Sequence, residues 1–154
     1  MIDKRNAQSI LYSYRYLFRT CDLIDNMVNN YGTNFGIAFD NSDTETLSNK
    51  IIDLIQRKKY LINLKLYIDK VISLTDGITQ KVLVLMSQYN YDIKKVQKAF
   101  NVCERTAFRY MKKALEVFVS VANRVKGIDL DELRRNDSWI FNLHKTYACS
   151  RCMN

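Results

Sequence analysis

The sequence predicts an all-α protein, and three observations predict it. The 154 residues hold no proline and only four glycines. Apolar side chains recur at spacings of three and four almost throughout, which is the period of one face of a helix. The glycines fall at the junctions between those periodic stretches, where helices end. Strands find no comparable support. The expected architecture is an N-terminal long-helix hairpin over residues 1–75, a three-helix unit over 76–127 and a C-terminal tail over 128–154.

The first helix is expected over roughly 4–31, where Ile10, Tyr14, Leu17, Cys21, Ile24, Val28 and Tyr31 recur at alternating steps of four and three. That is a heptad seam, but Tyr and Cys specify a two-stranded coiled coil poorly. Packing against another helix of the same chain is therefore favoured over a dimer seam. The same register accounts for the aromatic and basic run from Tyr12 to Arg19, which would otherwise suggest a promoter-melting segment.

Between Tyr31 and Glu45 two glycines and several Asn, Asp, Ser and Thr mark a loop. Ser42-Asp43-Thr44-Glu45 then has the form of a capping box, placing the start of a second helix near residue 43. This helix runs to about Leu74, with a seam of Leu47, Ile51, Leu54, Leu61, Ile68 and Ile72. A further row of Ile55, Ile62, Leu66 and Ile72 makes it apolar over more than one stripe, suited to touching two neighbours. Arg57-Lys58-Lys59 is read as solvated surface in preference to a phosphate contact.

Thr75-Asp76-Gly77 breaks the chain before a third helix over Thr79 to Tyr89, whose Val82, Leu83, Leu85 and Met86 form a buried side. Asp92 caps a fourth helix in which Ile93, Val96, Ala99 and Phe100 point inward and Lys94, Lys95 and Lys98 outward. Asn101 occupies a turn that calls for a left-handed backbone, which asparagine tolerates better than most non-glycine residues. A fifth helix follows. At 100° per residue its Ala107, Met111, Ala114 and Phe118 fall within about 60° of one another, opposite Arg105, Arg109, Lys112 and Lys113. One face packs and the other is free to meet phosphates and base edges, with Phe108 on the border between them.

The net charge of +8 is not spread evenly. Residues 76–127 hold ten cations and four anions, whereas 1–75 hold ten and eight and 128–154 hold four and four. Concentration of +6 on the segment with two short helices and a tight turn points to a polyanion partner, and the helix-turn-helix pattern points to duplex DNA.

The run Ala99-Phe100-Asn101-Val102-Cys103-Glu104-Arg105-Thr106-Ala107-Phe108-Arg109-Tyr110-Met111-Lys112-Lys113-Ala114-Leu115 resembles the second half of a sigma-factor region 4 type helix-turn-helix. With the long Ile/Leu/Lys helix that enters it through Thr75-Asp76-Gly77, the stretch 43–118 is similar to phage transcriptional regulators of the ArpU and RinA kind, small activators of phage late or packaging genes. It departs from their pattern at Asn101, where glycine is usual, at Cys103, where serine is usual, and at Gln88-Tyr89, where Arg-Tyr is common. Loss of a serine N-cap costs on the order of 1 kcal/mol. The resemblance implies a sequence-specific, phage-related DNA-binding transcriptional regulator.

On that expectation Lys94, Lys95, Lys98, Lys112 and Lys113 neutralise phosphates, and Arg105, Thr106, Phe108 and Arg109 contact bases. Arginine bonds guanine bidentately, and threonine or phenylalanine packs on a thymine methyl. The expected partners are double-stranded DNA and, for the remaining helices, RNA polymerase or a second copy of the chain. A small terminase-like packaging protein and a polymerase-binding module are the alternative readings; a closed ring of subunits separates the first of these from a regulator.

No enzyme is expected, since there is one histidine and no phosphate-binding glycine loop, nucleophile elbow or supported acid pair. Nothing calls for a cofactor. His144, Cys149 and Cys152 have ligand-like spacing, but three ligands fall short of a structural zinc site and a reduced tail is the favoured reading. The apolar knot Trp139, Ile140, Phe141 and Leu143 is expected to fold back on the core. With no signal-like N-terminus and no apolar run longer than Val82 to Met86, the chain is expected to be cytoplasmic, away from membranes, with its four cysteines reduced.

Overall fold

The computed structural model describes residues 1–34 and 44–143, all of whose regular structure is helical. In chain order the helices are α1 (Lys4–Asn34), α2 (Thr44–Ser73), α3 (Gly77–Gln88), α4 (Ile93–Phe100), α5 (Glu104–Arg124) and α6 (Leu130–Asn136), followed by a short α7 over 139–143. The loop and capping box expected before α2 lie mostly outside the described residues, as do His144, Cys149 and Cys152.

α1 and α2 lie antiparallel along each other. Lys58 Nζ contacts Asp25 Oδ1 at 2.6 Å, and nearer the other end the Tyr14 hydroxyl donates to Asp69 Oδ1 at 2.6 Å. The heptad seam of α1 is what faces inward: Ile10, Leu17, Cys21 and Ile24 are buried, with Tyr14 and Val28 packed against them. The partner of this seam is thus within the chain. Lys65 bonds Asp69 at 2.7 Å and stands over the rings of Tyr14 and Phe18, at 5.4 and 4.7 Å from their centroids, so its ammonium is held both by a carboxylate and by π-faces. That hydrogen bond to Asp69 raises the Lys65 pKa above its ordinary value.

Only one stripe of α2 is buried, with Leu61, Leu64, Ile68, Val71 and Ile72 at its centre. Ile55, Ile62 and Leu66 from the second apolar row remain exposed, because α1 and the α3–α5 unit together cover a single side of the helix. Arg57 and Lys58, expected as solvated surface, are instead both paired inside the molecule, Arg57 to the buried Asp137 and Lys58 to Asp25.

The buried side chains of all these helices form one continuous cluster from Ile2 to Ile140. Phe118 of α5 is fully buried within it, and the Tyr67 hydroxyl of α2 donates to the Ala122 carbonyl at 2.7 Å. The N-terminal residues clamp the same end of α5: Asn123 exchanges two hydrogen bonds with the backbone of Ile2, at 2.7 and 2.9 Å. Ile140 is buried, and Trp139 and Phe141 pack on the cluster, so the apolar knot folds back as its composition predicts.

Candidate nucleic-acid interface

The geometry of α3, α4 and α5 begins with two tight turns. Between α3 and α4, Asn90 and Tyr91 both take left-handed backbone angles, with φ of 53° and 61°. Left-handed non-glycine residues are costly singly, and two in succession persist only where packing determines them. Here the Asn90 side-chain amide donates to the Tyr16 hydroxyl of α1 at 3.2 Å, and the Tyr91 N–H reaches the Met86 carbonyl at 3.0 Å. α1 therefore helps to hold the turn that sets the entry of α4.

α4 is capped as its sequence predicts. Asp92 Oδ1 accepts from the Lys94 N–H at 2.9 Å, and at the other end Asn101 sits in the left-handed region at φ 51°, ψ 51°. The N–H groups of Asn101 and Val102 both return to the Gln97 carbonyl, closing the helix end. Ile93 and Val96 are buried and Phe100 is half-buried, meeting Tyr110 of α5 edge to face at 5.7 Å between ring centroids. Ala99 departs from expectation and is exposed.

Cys103 then extends the chain and opens α5 without a side-chain hydrogen bond to the backbone of the first turn. Its sulfur lies 3.3 Å from the Thr106 hydroxyl, and that hydrogen bond holds the thiol below its ordinary pKa. Ala107, Met111, Ala114, Phe118 and Ala122 form the buried stripe of α5. The opposite side is open to solvent.

On that open side Glu104, Arg105, Phe108, Arg109 and Lys112 line one shallow depression of about 590 Å³. Phe108 is 48% exposed, so the border residue lies on the outer face and not in the core. Lys113 is exposed farther around the helix, and Lys94, Lys95 and Lys98 are exposed on α4. Lys95 Nζ stands 5.0 Å from the centroid of the Tyr89 ring, which orients it without neutralising it. Thr106 stands apart from the depression, half-buried and turned to Cys103.

Among the described residues none of Lys94, Lys95, Lys98, Arg105, Arg109, Lys112 or Lys113 is in an ion pair. Arg57, Lys58 and Lys65, by contrast, are all consumed by internal carboxylates. Glu104, a lone acid among cations, joins the depression without having been expected as a contact, because an excess of positive charge carries no signal for it. Its signal in the sequence is its place at the first position of α5, one turn before Phe108.

A smaller and more enclosed cavity of about 260 Å³ lies elsewhere, between α2 and α6. Its carboxylates are engaged: Asp129 caps α6, and Glu132 accepts from the Tyr60 hydroxyl, which raises the Tyr60 pKa. Acidic walls repel a polyanion, so this cavity and the basic face of α5 are not one site. Among the described residues there is no group of three or more His, Cys, Asp or Glu placed to hold a metal ion, and no helix long and apolar enough to cross a membrane. No protein-family profile, no curated protein and no solved structure matches this chain.

Proposed function

We propose that the chain is a sequence-specific DNA-binding transcriptional regulator in which α3–α5 act as a helix-turn-helix unit and α5 enters the major groove. The observation that supports this most is the division of α5 into a fully packed stripe and an open face carrying unpaired cations around an exposed aromatic ring. On a groove-entering helix an exposed phenylalanine among cations meets a thymine methyl. α4 carries Lys94, Lys95 and Lys98 where the first helix of such a unit crosses the phosphate backbone.

The α1–α2 hairpin serves as a scaffold on this reading: it buries the back of α5 and holds the Asn90–Tyr91 turn. On this reading the chain is a phage-type regulator of the ArpU and RinA kind, with RNA polymerase or a second copy as partner of the remaining surfaces. Selection of bound duplexes from a random pool, followed by a salt titration on the enriched site, tests it. Enrichment of a defined sequence, with affinity falling about 0.9 log units per log of salt for each phosphate contact, is expected. Failure to enrich any sequence refutes specific recognition.

A further inference from the structure

We infer that Glu104 is a specificity-determining residue that reads a cytosine, by accepting a hydrogen bond from its N4 amino group. This rests on the DNA-binding reading above and adds a contact of opposite charge to its neighbours. Glu104 is exposed at the first position of α5 and shares its depression with Arg105, Phe108, Arg109 and Lys112. Among the described residues its carboxylate is in no ion pair.

The argument is one of sign. Residues near the start of a recognition helix are those that reach base edges. A carboxylate brought into a groove between two phosphate chains is repelled on every sequence, and it has no proton with which to approach the acceptor edges of guanine or thymine. An exocyclic amino group relieves that penalty, and the pairing expected of Glu in the major groove is with cytosine N4. Arginines flank it within the same depression, so guanine on the complementary strand has a donor within the same surface. Phe108 lies one turn further along the same side, where the adjacent base is met by an apolar surface. Glu104 thus excludes sequences more than it attracts one.

A carboxylate in the first turn also favours the positive end of its own helix. That role acts with or without DNA, and the experiment separates the two. Duplexes are selected from a random pool with the full-length wild type, Glu104→Ala and Glu104→Gln, and each protein's binding to the enriched site and to a random duplex is measured at one salt concentration. The wild type is expected to enrich cytosine at one position and to lose roughly 5- to 150-fold in affinity when that base is changed. Glu104→Ala should accept all four bases there within about threefold while binding random duplex more tightly than the wild type does, since a repulsive charge is gone. Glu104→Gln should shift the preference toward adenine, which glutamine bonds bidentately.

If Glu104→Ala enriches the same site with the same cytosine dependence, the inference is overturned while the DNA-binding reading stands, and a lowered thermal midpoint in that variant then assigns Glu104 to the helix end alone. If the wild type enriches no sequence, both readings fall together.

Discussion

Arg57 of α2 grips a carboxylate that has no solvent exposure: its Nε and Nη2 lie 2.8 and 2.6 Å from Oδ1 of Asp137, eighty positions away along the chain. Trp139 Nε1 donates to the same oxygen at 2.9 Å, while Oδ2 has no hydrogen-bond partner among the described residues. The pair fastens the segment after α6 onto α2. Removing one member of a buried pair leaves an uncompensated charge, at a cost of about 3 kcal/mol. Arg57→Ala should therefore lower stability by about that amount in denaturant unfolding, and Asp137→Asn, which keeps an acceptor for Trp139, by less. A small loss from Arg57→Ala, well under that figure, would show that the Asp137 carboxylate is compensated without the guanidinium.

Asn101 carries the turn between α4 and α5 in the left-handed region. Asn101→Val should cost about 2 kcal/mol, because a β-branched side chain crowds its own backbone there. Asn101→Gly should stay within about 0.5 kcal/mol of the wild type, relieving strain while adding unfolded-state entropy. Thermal unfolding of the two variants checks both figures. Tolerance of valine would mean that the turn can re-form in another conformation.

The Cys103 thiol titrates below its ordinary value of 9.0, chiefly through the hydrogen bond with Thr106. A lowered thiol pKa means more thiolate at a given pH, so alkylation of Cys103 should reach half its maximal rate below pH 9.0. Thr106→Val removes the hydroxyl and should move that midpoint upward. The measurement is made on a Cys149→Ser, Cys152→Ser background, where Cys21 is buried and reacts only on unfolding. An unchanged midpoint in the valine variant would assign the shift to the backbone amides of α5.

On the proposed function, Lys95 and Arg109 act differently. Lys95→Ala should weaken binding to all duplexes alike and reduce the salt slope by about one contact's worth. Arg109→Ala should instead cost about 1–3 kcal/mol on the enriched site and relax the preference at a single base pair. Matched and random duplexes, titrated side by side, read the difference. Identical behaviour of the two variants would refute the division between phosphate and base contacts.

Much of the scaffold was legible because its signals are local. The Asp92 cap, the left-handed Asn101 and the packed stripe of α5 each depend on residues within a turn or two of one another, and each stands where its residue type predicts. Element ends were less legible: α1 continues to Asn34 through Gly32, and α3 starts at Gly77, before Thr79, since a lone glycine or a missing cap biases a helix end by less than tertiary packing can override. Of the site, the basic face follows from helical geometry, whereas Phe108, on the border between the two faces, was placed outside only by the packing of α5. The bond between Thr106 and the Cys103 sulfur three residues back was not legible, because a hydroxyl bonds whatever lies nearest.

The run of helices, their caps and the amphipathic character of α5 are local properties, since the 3.6-residue period and end-capping chemistry involve neighbours along the chain. Which charges remain free depends on how the helices pack. Arg57 and Lys58 look in sequence like the lysines of α4, yet the crossing of helices brings Asp137 and Asp25 to them and leaves the α4 lysines in no ion pair among the described residues. The same crossing buries one stripe of α2 and leaves Ile55, Ile62 and Leu66 in water. A pairing between residues far apart in the chain depends on how rigid elements stack, and that is information no local pattern holds.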